Sequence, residues 1–269
     1  MSRLVLDRPA DARHAAALLA KGLPVAHGFG TIYALTARAD GVRRLNALKG
    51  RPLGQTGSLT APRGHVLDAF DLAALPVGVS RQLVQDVVDA FGALGPFGFR
   101  ARAAGHVPPE LTADDAGVVT TQVIVPGDAC PSQVFLAAAA RAVGDEPLAI
   151  SSANRSRHVT GGHDAPVHWR ADGLRAELGA ADLVVLEHAD EAAARARFPR
   201  HTPVSTTILG LHRAERAHGR TQLVLERHGS LHVADVAAVL HDLGLGLTVG
   251  ARASVRLEPR VYEPLEPVA

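Results

Sequence analysis

The sequence predicts an α/β fold built around a mostly buried, twisted sheet. Three observations carry this expectation. Apolar runs of strand length are interleaved with segments of helical periodicity from one end of the chain to the other. Two of those runs, residues 147–150 and 183–186, are apolar almost throughout, as buried strands are. Composition is the third: 47% of the 269 residues are hydrophobic but only 4% are aromatic, so the chain is globular with a core of Ala, Val and Leu.

Taken in order, Leu4-Val5-Leu6 reads as a short strand. A helix follows, with Asp7 as candidate N-cap, Pro9 in the first turn and Gly22 as the stop. Residues 24–27 read as a second strand running into a glycine-flanked turn, Gly28 to Tyr33. The next helix carries Val42, Leu45 and Leu48 on one face and ends at Lys49. Residues 58–61 form a short strand and 80–91 a helix; 97–103 and 118–125 are strands. Residues 131–143 form a helix with Pro131 at its start and Gly144 at its stop. The buried strand 147–150 runs into Ser151-Ser152-Ala153-Asn154, and 183–186 is another buried strand. Residues 206–211 and 222–225 make a neighbouring pair, and 233–243 a final helix. This gives one domain over residues 1–243 and a C-terminal extension over 244–269, punctuated by Pro259, Pro264 and Pro267, read as an extended arm. That arm has three open placements: across a site, in a dimer contact, or without order.

Charge and cysteine content narrow the function. A net charge of +1 provides no global attraction to nucleic acid or anionic lipid, so any anion site is a local cluster. Cys130 is the single cysteine, which excludes an internal disulfide or a thiolate metal cage and fits a reducing, cytoplasmic setting. Residues 1–20 lack the continuous apolar run of a secretory signal, and no stretch has the length of a membrane-spanning helix.

Of the 28 basic residues, only Lys21 and Lys49 are lysines. Lys49 sits in Leu48-Lys49-Gly50-Arg51-Pro52, a point charge and a planar fork separated by glycine, a pair suited to a phosphate chain. The competing reading is a cation satisfying a helix C-terminus. Ser152 and Asn154 directly follow a buried strand, where ligands sit in open α/β sheets; a plain Ser/Asn turn is the alternative. His158, His163 and His168 recur every five residues, but in a chain with 14 histidines chance spacing explains them better than a metal site does. Cys130, before Pro131, reads as a small buried side chain, and Trp169 as a core or lid contact.

In their order, these segments resemble the YrdC-like family, whose best-known members are threonylcarbamoyl-adenylate synthases. The family's Lys-x-Arg matches Lys49 and Arg51, and its Ser-x-Asn matches Ser152 and Asn154. Its Ser-Thr strand resembles Ser205-Thr206-Thr207-Ile208, and its Arg-x-Gly turn resembles Arg227-His228-Gly229. Its Pro-Thr-x-Thr-x-Tyr-Gly-Leu turn is matched in part by residues 28–35, with Gly28-Phe29 in place of Pro-Thr and Ala34 in place of Gly. The region usually Trp-Pro-Gly-Pro-x-Thr reads Leu94-Gly95-Pro96-Phe97-Gly98-Phe99, and Ile124 replaces an arginine. The resemblance spans about residues 5–243.

The resemblance implies a single YrdC-like domain: a twisted mixed open sheet with helices on its faces and a concave basic cleft. It implies a nucleotidyltransferase that joins an amino acid, bicarbonate and ATP into an N-carbamoyl adenylate, with Mg²⁺ accompanying the nucleotide. Lys49, Arg51, Ser152 and Asn154 are then catalytic and phosphate-binding, with Ser205 and Arg227 as further phosphate contacts. His27, Phe29, Thr31 and Tyr33 line the acceptor pocket, and a downstream carbamoyl-transferase is a candidate partner. The departures leave the phosphate side firmer than the threonine side, because phenylalanine supplies no hydroxyl. Two alternatives stand beside this: carbamoyl-adenylate formation from carbamoyl phosphate or with another carbamoyl or acyl acceptor, in a specialised pathway, and double-stranded RNA binding through the many arginines. The near-zero net charge and the absence of strand-borne paired aromatics disfavour RNA.

Overall fold

The computed structural model describes residues 3–144, 146–162, 166–217 and 219–257. The elements run β1 (Leu4–Val5), α1 (Pro9–Ala20), β2 (Val25–Phe29), β3 (Ile32–Arg38), α2 (Val42–Lys49), β4 (Ser58–Thr60), α3 (Arg81–Leu94), β5 (Phe97–Arg102), β6 (Thr112–Asp115) and β7 (Val118–Val125). They continue with α4 (Ser132–Ala142), β8 (Leu148–Ser152), α5 (Ala171–Leu178), β9 (Val184–Glu187), α6 (Glu191–Ala196), β10 (Ile208–Ala217), β11 (Arg220–Arg227), α7 (Val233–Asp242) and β12 (Gly246–Val249).

Local chemistry sets several boundaries. Ser80 Oγ accepts from Leu83 N at 3.1 Å and starts α3, satisfying a backbone donor that the helix cannot. Gly50 ends α2 in the left-handed region at φ 67°, open to glycine without a Cβ penalty. At α1 the expected cap is replaced. Arg8 occupies the N-cap position without a side-chain bond, and Asp7 instead accepts from Ala189 N at 3.1 Å.

The described strands form one mixed sheet in the order β1-β9-β2-β3-β8-β4-β7-β5-β10-β11-β12, with β6 paired to β7. Pairs β2/β3, β3/β8, β4/β8, β5/β7 and β10/β11 are antiparallel; β2/β9, β4/β7, β5/β10 and β11/β12 are parallel. Two expectations are corrected. Residues 28–33 belong to a β-hairpin, β2 and β3, that turns at Gly30-Thr31; its buried second strand, Ile32–Arg38, lacks the alternation that marks a strand. Residues 246–249 of the tail are also not a free arm, because they extend the sheet beside β11.

Residue parity separates two cores. One face carries Val25, Phe29, Ile150 and Ile124, packed by Ala12, Ala16 and Leu19 of α1 and by Phe135, Leu136 and Ala139 of α4. On the other face lie Tyr33, Leu35, Phe97 and Phe99, packed by α3 and α7 through Val87, Phe91 and Leu240. Phe91 stacks on Phe97 with ring centroids 4.0 Å apart. Each such fully buried side chain contributes roughly 1.5–3 kcal/mol. The first face continues beyond α1 and α4 as the floor of a cleft. No helix among the described residues is long and apolar enough to cross a membrane.

Candidate active site

Register brings the cleft together. Ala34 pairs with Ser152 and Ile150 with Ser58, so these four residues of β3, β8 and β4 share the face that carries Phe29 and Ile124. The chain leaves β8 at Ser152, and the following loop docks on the end of α2 through Ser156 N to Lys49 O at 2.9 Å. The resulting cleft holds about 690 Å³, including space open to solvent. Its polar lining contains Arg51, Ser152, Asn154, Arg155, Ser205 and Arg227. Phe29, Ile32, Ala34, Ile124 and Ile150 also line the cleft, as does Leu257 from the C-terminal segment.

Gly50 sends its two neighbours in different directions. Lys49 is completely buried, and its Nζ donates to the backbone carbonyls of Ser152 and Asn154 and, at 2.9 Å, to Asn154 Oδ1. Arg51 lines the cleft and donates to Ser151 Oγ at 2.9 Å. Ser152 Oγ donates to Asn154 Oδ1 at 2.6 Å, and Ser205 Oγ donates to Ser152 Oγ at 3.2 Å. Arg227 is braced by Thr206, to O at 2.7 Å and to Oγ1 at 3.1 Å. The ammonium, the carboxamide and two hydroxyls therefore form one connected network, with guanidinium groups beside it in the same cleft. This arrangement suits an anion with several oxygens, which can take directional bonds from forked and point donors together.

Placement differs for the other expected residues. Phe29 lines the cleft, while His27, Thr31 and Tyr33 do not. His27 lies deeper on the same face, against Phe135. Its Nδ1–H donates to Gly28 O at 3.1 Å, and its Nε2 accepts from Thr36 Oγ1 at 2.8 Å. Burial lowers its pKa to about 3, so the ring is neutral. Thr31 Oγ1 donates to Thr202 O at 3.5 Å. Tyr33 points from the opposite face, donating to Glu191 Oε1 at 2.8 Å and accepting from His188 N at 3.2 Å. Burial, reinforced by the Glu191 charge, pushes its phenol well above the usual range.

Several cleft residues carry no motif signal. Arg155 follows Asn154 directly and donates to Glu177 O at 3.0 Å. Beyond Arg51 and Arg227, an adjoining cavity of about 660 Å³ extends to Ser58, Gln122 and Arg100. Gln122 donates to Ser58 Oγ at 2.7 Å and accepts from Arg100 at 3.0 Å. Period-two counting from Ile124 and Gly98 is the signal that finds Gln122 and Arg100, once pairing is known.

Cys130 is buried as expected; its Sγ accepts from Gly30 N at 3.2 Å, and burial pushes the thiol pKa up. Arg170 and Arg195 lie over the Trp169 ring, 4.7 and 5.0 Å from its centroid. His158 is exposed, His168 is buried against Glu177, and His163 lies outside the described residues. Among the described residues, ligand atoms of Asp115, His212 and Glu226 lie close enough for a metal ion. Arg213 and Arg100 already pair with the two carboxylates, however, which opposes a second cation there.

Comparison with solved structures shows the fold: the chain superposes on structures of Sua5 and YciO and is YrdC-like in fold. No protein-family model matches the chain, and no curated protein matches it in sequence. P. abyssi Sua5 complexed with L-threonine superposes with a TM-score of 0.60 at 19% identity, over 90% of this chain and 60% of that one. A hypothetical protein from Streptococcus mutans, smu.1377c, gives 0.59 at 14% identity, over 91% and 94%. Full-length HypF in a phosphate- and nucleotide-bound form gives 0.51 at 15% identity, over 81% and 28%. The chain thus spans about three fifths of the Sua5 chain's length and less than a third of HypF's. At these identities the likeness is one of fold.

Proposed function

We propose that this cleft binds ATP and forms an N-carbamoyl adenylate from an amino acid, bicarbonate and ATP, with release of pyrophosphate. One observation carries the reading: Arg51, Ser152, Asn154, Ser205 and Arg227, from four separate stretches, line one cleft. Two solved structures of the same fold are described as holding L-threonine in one case and phosphate and nucleotide in the other, which supports both halves of the reading.

In this reaction the amine first captures carbon dioxide as a carbamate. A carbamate oxygen then attacks the α-phosphorus, the bond to the bridging oxygen breaks, and pyrophosphate leaves with the electron pair. Such a step needs alignment and charge neutralisation more than a protein nucleophile. Arg51 and Arg227 hold the phosphates and offset the negative charge that builds on pyrophosphate. Ser152, Ser205 and Asn154 fix phosphate oxygens. Lys49 acts behind them as a positioning residue, because its ammonium sets the Ser152–Asn154 loop. The residues lining the cleft offer neutral oxygens and no carboxylate, so a Mg²⁺ accompanying the nucleotide would be held mainly by its phosphates, with the Ser152 and Ser205 hydroxyls as the available protein oxygens, and would supply further charge neutralisation. The adenylate is a reactive mixed anhydride, to be consumed by a downstream carbamoyl-transferase.

Pyrophosphate release from ATP with bicarbonate, measured over a panel of amino acids, tests the reading. Release that needs both bicarbonate and an amino acid is the expected result. Release with carbamoyl phosphate alone redirects it to a different carbamoyl donor. No ATP binding, together with salt-sensitive binding of duplex RNA, replaces it with the RNA reading.

A further inference from the structure

Resting on that reading, we infer that Arg100 is a third phosphate-binding guanidinium. The cavity it shares with Arg51 and Arg227 takes the β- and γ-phosphates of ATP, and then the pyrophosphate they become. Strand register places Arg100 there. Arg227 pairs with Ile208, Ile208 with Gly98, and Gly98 with Ile124. Side chains two apart on a strand share a face, so Arg100 on β5 stands on the same side of the sheet as Arg227 and Ile124. Gln122 is its direct partner on β7.

The chemistry of the cavity selects the occupant. Arg51, Arg100 and Arg227 line it with Gln55, Ser58 and Gln122, and among the described residues that line it there is no carboxylate and no aromatic ring. A nucleobase finds no ring there to stack on. An amino-acid carboxylate brings two oxygens and one charge. Three forked donors match a group richer in both, and two linked phosphates supply them. Gathering three guanidiniums round one space costs repulsion, which an entering polyanion offsets. Arg51, Ser58 and Arg227 line the main cleft as well, so a phosphate chain can run from one space into the other.

Arg100 is held in place for this task. Its Nη2 donates to Gln122 Oε1 at 3.0 Å, and Gln122 is fixed in turn by donating to Ser58 Oγ at 2.7 Å. Its Nη1 lies 3.1 Å from Glu226 Oε2, whose carboxylate also has His212 Nε2 at 3.6 Å. Gln122 therefore orients the fork without charge, while Glu226 adds a negative charge that an arriving phosphate must work against.

Titration calorimetry of the full chain with inorganic pyrophosphate and, separately, with AMP tests this. Arg100→Gln should weaken pyrophosphate binding at least about tenfold, as when one charge-assisted contact is lost, and leave AMP binding unchanged. Glu226→Gln breaks the same ion pair but removes the opposing charge, so it should tighten pyrophosphate binding roughly two- to fivefold. Unchanged pyrophosphate affinity in Arg100→Gln overturns the inference, as does a wild-type chain that binds no pyrophosphate. Equal weakening in both variants also overturns it, because Arg100 is then only a structural partner of Glu226. A loss of AMP binding with pyrophosphate unaffected gives the cavity to the nucleoside and overturns it too. Should Arg100→Gln not fold, Glu226→Gln decides, and a pyrophosphate affinity that is unchanged or weaker counts against the inference. Adenylate formation is judged separately, by pyrophosphate release from ATP on the wild-type chain, and stands whatever the Arg100 variant does.

Discussion

Lys49 Nζ donates to Asn154 Oδ1 at 2.9 Å across 105 residues of chain, joining the end of α2 to the loop after β8. The same ammonium bonds the backbone carbonyls of Ser152 and Asn154. The two short motifs that flank the cleft are therefore one structural unit, and perturbing either disturbs both.

Lys49→Ala should cost stability as well as activity. It strips buried carbonyls of their donor, a loss of about 1–3 kcal/mol. A lowered thermal midpoint together with lost pyrophosphate release is expected. Loss of activity with an unchanged midpoint would contradict the buried geometry.

Arg51→Gln should separate binding from folding. The side chain is half-buried at the cleft wall, so the melting curve should barely move, while ATP affinity falls at least about tenfold, as when one charge-assisted contact is lost. Calorimetric titration of both proteins with a non-hydrolysable ATP analogue measures this.

Tyr33→Phe should do the reverse. Its hydroxyl serves Glu191 and His188 N on the face away from the cleft. Stability should fall by about 1–2 kcal/mol with ATP affinity unchanged. An affinity loss without a stability loss would return Tyr33 to the acceptor pocket.

Acid should destabilise the protein well above the carboxylate range. Burial lowers the pKa of His27 to about 3, and those of His188 and His201 to about 4, from 6.5. Between these values and 6.5 the unfolded chain binds protons that the folded chain does not, so stability rises with pH in that window. The contribution is fully present above 6.5 and is lost as pH falls toward 4 and then 3, at up to about 1.4 kcal/mol per pH unit for each histidine. Urea midpoints at pH 7.5, 6.0 and 5.0 should fall in that order, and His27→Gln should flatten the trend.

Much of this was legible in the chain before any coordinates. The periodicity of residues 42–49 and 80–91 gave helices, because one apolar face at 3.6-residue spacing survives in any context. Ser152 and Asn154 were legible because a strand end is a recognisable place. The β2–β3 hairpin was not: its two strands are buried on nearly every residue, so neither shows the alternation that marks a half-exposed strand. Hence the motif alone points to Tyr33 as a pocket residue, whereas only one parity of β3, Ile32 and Ala34, reaches the cleft, and Thr31 stays in the turn before it.

By itself the amino-acid sequence determined the α/β class, the strongly periodic helices and the polar residues Lys49, Ser152 and Asn154 at element ends, since these follow from local periodicity. Only the tertiary structure decided that Lys49 turns inward while Arg51 faces the cleft, and that Phe29 and Ile124 line it. Those outcomes depend on strand register and on a left-handed turn at Gly50, and register is fixed by pairing between segments a hundred residues apart.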